Sequence, residues 1–182
     1  MRSFLFTSAV LVTLAASAQE NHNDDCGNAQ QLPVSPTNTH VEWALANMFE
    51  AASAITPSAC TGAGYKDVWF RFTATASTHY IVYDGTGRND VRIEAFSGNC
   101  GSLTSIGCVT HTNHLALTGL TSGASYLFRA HATMSNWNQA YVYVAVVSAP
   151  PNDECAGAVP LPVKPAHAVL LPSTEGSTVG AT

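Results

Sequence analysis

Five segments of the chain alternate between two kinds of side chain, and this period of two constrains the fold more than any other feature. The segments are residues 68–72, 80–83, 91–96, 126–131 and 141–146. In "VWFRF", for example, Val68, Phe70 and Phe72 share one side while Trp69 and Arg71 share the other. Such alternation is typical of strands whose sheet has one packed face and one wetter face. No comparable helical period occurs after the first residues.

The turns between these segments predict a compact all-β fold. Clusters rich in Gly, Asn, Asp and Ser separate the strands, which marks tight connections. Two shorter strands are expected at 103–109 and 115–120, and a first one at 40–50, where the spacing also suits a short helix. We therefore predict a two-sheet β-sandwich, most simply a jelly roll. The alternative is an immunoglobulin-type sandwich, but its Cys–Trp–Cys spacing across the core is absent.

The first 18 residues have the pattern of a secretory signal peptide. Arg2 precedes an apolar run at 4–16, and Ala16-Ser17-Ala18 supplies a small-x-small cleavage site before Gln19. The run is too short to span a membrane. We expect a secreted or cell-surface protein. Charged residues make up 10% of a chain of net charge −5, with no Lys/Arg cluster, so nucleic acid is not an expected partner.

A short motif occurs twice and predicts a modular chain. Residues 23–29 ("NDDCGNA") align without a gap with residues 152–158 ("NDECAGA"). We expect one complete module at 19–149, followed at 150–182 by the truncated start of a second copy, poorly ordered or docked on the first. Further copies of the module in a longer chain would then be its partners.

Five cysteines in an exported chain predict disulfides and one thiol left over. The closeness of Cys100 and Cys108 in sequence favours pairing them, and Cys26 then pairs with Cys60 by elimination. Four cysteines allow three connectivities, so the other two pairings stay open. Cys155 matches Cys26 in the repeat and would be unpaired by truncation. A reactive thiol or an intermolecular disulfide is the alternative.

The order of four motifs resembles one known group of modules. These are the repeated "NDDC" start, "DVWFRFTA" at 67–74, "DVRIEAFSGNCGSLTSIGCV" at 90–109 and "LTGLTSGASYLFRA" at 117–130. They resemble tandem β-sandwich modules of exported bacterial proteins, similar to pre-peptidase C-terminal and CUB-like domains. The resemblance implies modules in rows on large surface or secreted proteins of Gram-negative bacteria, often ahead of a C-terminal sorting domain.

The expected function is non-catalytic. There is no G-x-S-x-G motif and no other recognisable activated nucleophile, so no catalytic residue is predicted. We expect an extracellular module for adhesion, spacing or ligand presentation, with a glycan or a surface protein as its ligand. The alternative is an accessory domain, with carbohydrate binding as one of its roles, of a secreted hydrolase whose catalytic part lies beyond residue 182.

Two kinds of ligand site can be weighed from the residues. No cofactor is expected, although Asp24 and Asp25 are the best calcium candidates, against the simpler interpretation that they cap turns. Weaker oxygen donors are Asp67, Asp84 and Asp90, and the histidines of "HTNH" at 111–114 are expected to be loop residues. For a glycan, Trp137 with Asn136 and Asn138 offers a ring and amides in a turn, unless the ring folds back over the sheet edge. Trp43 and Trp69 are expected in the core or on a sheet face.

Overall fold

The computed structural model describes residues 23–36, 40–48, 51, 60, 66–84, 91–110, 114–132, 141–150 and 158. These residues form a single 3₁₀ turn, Cys26–Asn28, and ten strands. The strands are β1 (Gln30–Gln31), β2 (Val34–Ser35), β3 (Ala44–Asn47), β4 (Lys66–Thr73), β5 (His79–Asp84), β6 (Val91–Asn99), β7 (Ser102–Thr110), β8 (His114–Leu117), β9 (Ser125–Ala132) and β10 (Tyr141–Ser148). Within the described ranges, no helix has the length and apolar character needed to cross a membrane.

The strands form two five-stranded sheets. Sheet A has the order β1-β4-β9-β6-β7, and sheet B has the order β2-β10-β5-β8, with β3 also paired to β10. The two-residue strands pair in parallel with longer ones, β1 with β4 and β2 with β10. All other strand pairs are antiparallel. From β3 to β10 the connections follow the jelly-roll order, in which most successive strands belong to opposite sheets. The predicted sandwich is confirmed, and the 40–50 segment contains a strand rather than a helix.

The main core lies between the sheets and contains the side chains that the alternation assigned to one face. Phe70 of β4 stacks on Phe128 of β9 with ring centroids 5.1 Å apart, and Phe72 stacks on Tyr126 at 5.8 Å. Val144 is among the β10 side chains that complete this core from sheet B. The inward face was therefore predictable from the sequence alone.

The outer face of sheet A corrects the expectation of a wetter surface. Five of its side chains are almost fully buried, although four of these five are polar or charged: Asp67, Trp69, Glu94, Arg129 and His131. Two segments account for part of this cover. Cys26 and Ala29 pack with Trp69, Asn23 bonds to the backbone of Trp69 through its own carbonyl and its side-chain amide, and Cys60 is itself buried against β6.

The predicted disulfide pairing is wrong. Cys26 is bonded to Cys100 and Cys60 to Cys108. Cys100 lies in the turn between β6 and β7, while Cys108 lies far along β7, opposite Glu94. The extended strand from Ser102 to Cys108 alone spans about 20 Å, well beyond the Cα separation of about 7 Å that a disulfide tolerates. Each disulfide instead ties a distant segment to sheet A.

The correction also changes the argument about the second repeat. Cys155 matches Cys26 in the repeat, and it was expected to be unpaired because the counterpart of Cys60 would lie beyond the truncation. The partner of Cys26 is Cys100, however, so this reason no longer holds. The duplicated motif does not depend on that pairing, and the second copy stays a prediction. Cys155 itself, the signal segment 1–18 and nearly all of 150–182 lie outside the described residues.

Candidate functional site

Three large apolar side chains are exposed together on the outer face of sheet B. Trp43, Leu45 and Tyr143 are 47%, 48% and 47% exposed. On β3 the small residues Ala44 and Ala46 face the core, so that the large side chains between and before them face solvent. This reverses the usual arrangement, in which large apolar residues point inward. We call Trp43, Leu45 and Tyr143 the aromatic strip.

The strand register brings the strip together with a carboxylate. Leu45 lies opposite Tyr143, and Tyr143 lies opposite Asp84 on β5, so neighbouring members are about 5 Å apart across the strands. Trp43 precedes Leu45 by two residues, which places it on the same face about 7 Å along. Asp84 is exposed. The surface thus combines flat apolar groups with a hydrogen-bond acceptor at one end.

The exposure on this face has a clear limit. Tyr80, Val82, Ala145 and Val147 also point outward from sheet B, yet all four are buried. They form a second apolar cluster, against which Val41 and the partly buried Ala149 pack. The outer face of sheet B is therefore buried next to the aromatic strip, whereas the strip itself is exposed to solvent.

A second surface feature is a polar cleft next to the Cys26–Cys100 disulfide. It has a volume of about 450 Å³. Its lining consists largely of glycines and main chain, with three polar side chains (Gly27, Arg71, Gly98, Asn99, Cys100, Gly101, Ser125 and Leu127). The Arg71 guanidinium already donates to the Gly27 carbonyl at 3.2 Å. The cleft offers hydrogen bonds but no aromatic ring on which a ligand could stack.

Beneath the outer segments of sheet A lies a buried charge cluster. Arg129 donates from Nη2 and Nε to Glu94 Oε2, at 2.9 and 3.3 Å, and from Nη1 to Asp67 Oδ2 at 3.1 Å. Its Cζ lies 5.5 Å from the ring centroids of both Trp69 and Phe96. Burial raises the pKa of Asp67 to about 6, although the Arg129 charge opposes the shift. Two carboxylates thus compete for one guanidinium.

His131 lies beside this cluster without a hydrogen bond. Neither of its ring nitrogens has a partner, and the residue is completely buried. Burial, reinforced by the charge of Arg129, lowers its pKa to about 4, so the ring is neutral at physiological pH. Within the described ranges, one group of three potential metal ligands lies close together, and it consists of Cys60, Glu94 and His131.

The other buried histidine, His79, has a structural role. Its Nε2 accepts hydrogen bonds from the backbone N–H groups of Thr75 and Ala76, at 2.9 and 3.1 Å. The edge of its ring meets Phe72 at 6.0 Å. It therefore holds the turn between β4 and β5 to the core.

The predicted site residues fall into two groups. Trp137, Asn136 and Asn138 lie outside the described residues, as do Asp90 and His111. Among those described, Asp24 is half-buried and Asp25 exposed near the first turn, and the metal-ligand group above includes neither of them. Asp67 pairs with Arg129, and His114 lies on β8, its ring centroid 6.1 Å from that of Tyr80.

The aromatic strip was not predicted as a site, although Trp43 was expected in the core or on a sheet face and does lie on a sheet face. Trp69 is indeed buried, at 1% exposure, whereas Trp43 lies on a sheet face open to solvent. A signal was present in the sequence. In "WALA" the small residues alternate with large ones, so one side of the strand can pack closely while the other cannot be covered by it.

Comparison with known proteins identifies the family. A search of curated proteins gave no match. Among solved structures, PliG of Aeromonas hydrophila, a periplasmic inhibitor of g-type lysozyme, is 15% identical, with a TM-score of 0.41, covering 65% of this chain and 93% of that one. Residues 22–144 match the model of the T9SS-associated family described as galactose binding domain-like. That match spans most of the chain and the whole sandwich up to β10, and the chain therefore belongs to the T9SS-associated galactose binding domain-like family.

Proposed function

We propose that this chain is a non-catalytic extracellular module that binds a glycan on the aromatic strip. The observation that carries the proposal is the joint exposure of Trp43, Leu45 and Tyr143 on one sheet face. The family description, galactose binding domain-like, names the same class of ligand. Export fits the two disulfides, which form and persist in oxidising compartments.

The chemistry of the strip suits a pyranose ring. Aromatic side chains present flat apolar faces, and half-exposed Tyr143 also carries a hydroxyl that can act as a polar handle. Sugar rings have an apolar C–H face that can lie on such groups, and their hydroxyls need nearby acceptors. Asp84, directly opposite Tyr143, supplies one. The strip would hold one or two sugar units of a longer chain.

A stable protein partner fits this surface less well. Two half-exposed aromatic residues and one half-exposed leucine offer roughly 300 Å² of accessible surface. Stable protein interfaces need about 800 Å² from each partner. Weak contacts repeated along tandem modules would still give useful avidity toward a polymeric ligand. We infer a role in adhesion or ligand presentation within a larger exported protein, or, as the alternative, in delivering a secreted hydrolase to its substrate.

The test is a glycan array probed with the oxidised chain from Gln19 onward. We expect binding that falls at least tenfold in Trp43→Ala and in Tyr143→Ala. Ile106→Ala is the matched control, because Ile106 is an exposed apolar residue on β7 of the other sheet. Its signal should equal that of the wild type.

Two further variants identify the site if the strip is wrong. Loss of the signal in Trp137→Ala, with Trp43→Ala unaffected, would place binding at the 135–139 turn. Loss in Arg71→Ala alone would place it in the polar cleft. No signal from the wild-type chain on any glycan would contradict the proposed function itself.

A further inference from the structure

The outer face of sheet A arranges potential metal ligands in adjacent rows. The register places Glu94 opposite Cys108 on one side and Arg129 on the other. His131 lies one row away, opposite Arg92. Cys60 reaches the same place from outside the sheet, through its bond to Cys108. Four residues from four different segments therefore converge: Cys60, Glu94, Cys108 and His131.

The side-chain atoms of three of them are already close. Cys60 Sγ, a carboxylate oxygen of Glu94 and a ring nitrogen of His131 lie within 4.8 Å of one another. Ligands in a tetrahedral zinc site, with bonds of about 2.0–2.3 Å, are about 3.6 Å apart. The required contraction is roughly 1 Å, which side-chain rotation in one or two of these residues can supply.

His131 is the independent sign of a ligand. A fully buried imidazole normally has at least one hydrogen bond, since leaving a buried polar group unsatisfied costs about 1–3 kcal/mol. Both nitrogens of His131 lack one. An imidazole nitrogen that has a free electron pair can bind a metal ion instead of accepting a hydrogen bond.

We propose that reduction of the Cys60–Cys108 disulfide turns this cluster into a zinc site, with Cys60, Cys108, His131 and Glu94 as its ligands. The reductant is a dithiol, which takes up the disulfide linkage as its own and leaves two protein thiols. Binding of Zn²⁺ then displaces one proton from each thiol. Exchange with the oxidised form of that dithiol reverses the step: its disulfide is reduced to two thiols, which take up two protons, while Cys60 and Cys108 form their disulfide again, cease to be sulfur ligands and release the ion.

The electrostatics of the cluster suit this exchange. Zn²⁺ with two thiolates, one carboxylate and a neutral imidazole carries a net charge of −1. Arg129 already donates two hydrogen bonds to Glu94, so its positive charge, which it shares with Asp67, would offset part of the negative charge of the site. Mixed nitrogen and sulfur ligands favour zinc over calcium or magnesium, which bind to oxygen.

The disulfide can be reached by a reductant from one side. Cys108 is half-buried and lies on β7, the last strand of sheet A. A thiolate can therefore approach its sulfur along the sheet edge. Cys60, at 2% exposure, is the sulfur that leaves. Neither cysteine of the second disulfide, Cys26–Cys100, belongs to the metal-ligand group found among the described residues.

The test measures metal content with the chain as it is, before and after treatment with a dithiol. The reduced chain should bind one Zn²⁺ per molecule, and Co²⁺ in its place should give tetrahedral d–d bands together with sulfur-to-cobalt charge transfer. The oxidised chain should bind neither ion. His131→Ala and Cys60→Ser should each weaken zinc binding by more than about 100-fold.

Two controls separate this site from unspecific thiol binding. His114→Ala removes a half-buried histidine on sheet B and should leave the affinity unchanged. Cys26→Ser/Cys100→Ser should also retain the site. Zinc binding that is indifferent to His131, or that follows Cys26 instead of Cys60, would overturn the proposal. So would a reduced chain that unfolds, judged by its circular dichroism, and binds zinc equally well in all variants. None of these results depends on glycan binding.

Discussion

Replacing Arg129 should cost more stability than any other change of a charged residue in the described sandwich. Arg129→Met keeps much of the side-chain volume but removes the cation that Asp67 and Glu94 share. All three side chains are at most 3% exposed. The two carboxylates would lose their charge-assisted hydrogen bonds without gaining access to water.

The magnitude follows from this burial. Breaking a buried ion pair by removing one partner costs about 3–5 kcal/mol, because an uncompensated charge stays behind. Loss of the contact between the guanidinium and the rings of Trp69 and Phe96 adds about 1 kcal/mol. We expect a total of about 4–6 kcal/mol, a large part of the roughly 5–15 kcal/mol by which domains are usually stable.

Urea unfolding of the oxidised chain at pH 7 provides the measurement. Arg71→Met is the matched control, since Arg71 on β4 is only half-buried and donates to one backbone carbonyl; we expect it to cost less than about 1 kcal/mol. Adding Asp67→Asn and Glu94→Gln to Arg129→Met should recover part of the loss, because the stranded charges disappear. A cost below 1 kcal/mol for Arg129→Met, or no recovery in the triple variant, would refute this account of the cluster.

Three further outcomes are expected from other parts of the fold. Gly98→Ala should destabilise the β6–β7 turn by about 1–3 kcal/mol in a thermal or urea melt, because Gly98 has φ +94° and a Cβ there would lie 2.3 Å from the carbonyl oxygen of Ser102; an unchanged melt would contradict the turn geometry. Cys26→Ser/Cys100→Ser should lower the unfolding free energy by about 2–4 kcal/mol, since this disulfide closes a loop of 74 residues, and the loss should vanish when both proteins are compared fully reduced. Asp67→Asn should gain stability relative to the wild type as pH rises from 4 to 7, by at most about 3 kcal/mol. The pKa of Asp67 in the folded protein, about 6, lies above the ordinary carboxyl value of 3.8, so the stability that the protonated carboxyl contributes is lost as pH rises through 6. A difference between the two proteins that is the same at every pH would rule this out.

The strands could be predicted because their signal is local. Alternation over five or more residues fixes which side chains share a face, and the turn residues fix where each run ends. The strands β1 and β2, with two residues each, were not found because no period can be read in two residues. Their positions depend on parallel pairing with β4 and β10, which is a property of the folded chain.

The disulfide pairing could not be predicted because closeness in sequence was mistaken for closeness in space. The segment between Cys100 and Cys108 was treated as a loop, whereas most of it is the extended strand β7. An extended strand carries its two ends apart at about 3.3 Å per residue. A strand was expected from the sequence at 103–109, and that expectation already argued against pairing Cys108 with Cys100.

What covers each outer face was equally hidden from the sequence. Glu94, Arg129 and His131 alternate with apolar residues, so the pattern assigned them to a wet face. Alternation separates two faces but does not show whether a distant segment lies on either of them. Cys60 lies outside the strands of sheet A and packs against it. The alternation of residues in β6 and β9 does not predict this contact.

Charged side chains usually lie in water and large apolar ones are usually buried, and the outer faces of the two sheets depart from this pattern in opposite directions. Sheet A buries charges, while the aromatic strip leaves Trp43, Leu45 and Tyr143 half in water. Full cover of roughly 300 Å² of apolar surface would have contributed up to about 7 kcal/mol. The fold covers the apolar residues immediately beside the aromatic strip but does not gain this stabilisation at the strip itself. Such departures from local consistency are most often found at functional sites. The ring of His131, buried without a hydrogen-bond partner, is a second such departure, so both sites consist of residues that stability alone would have placed or paired differently.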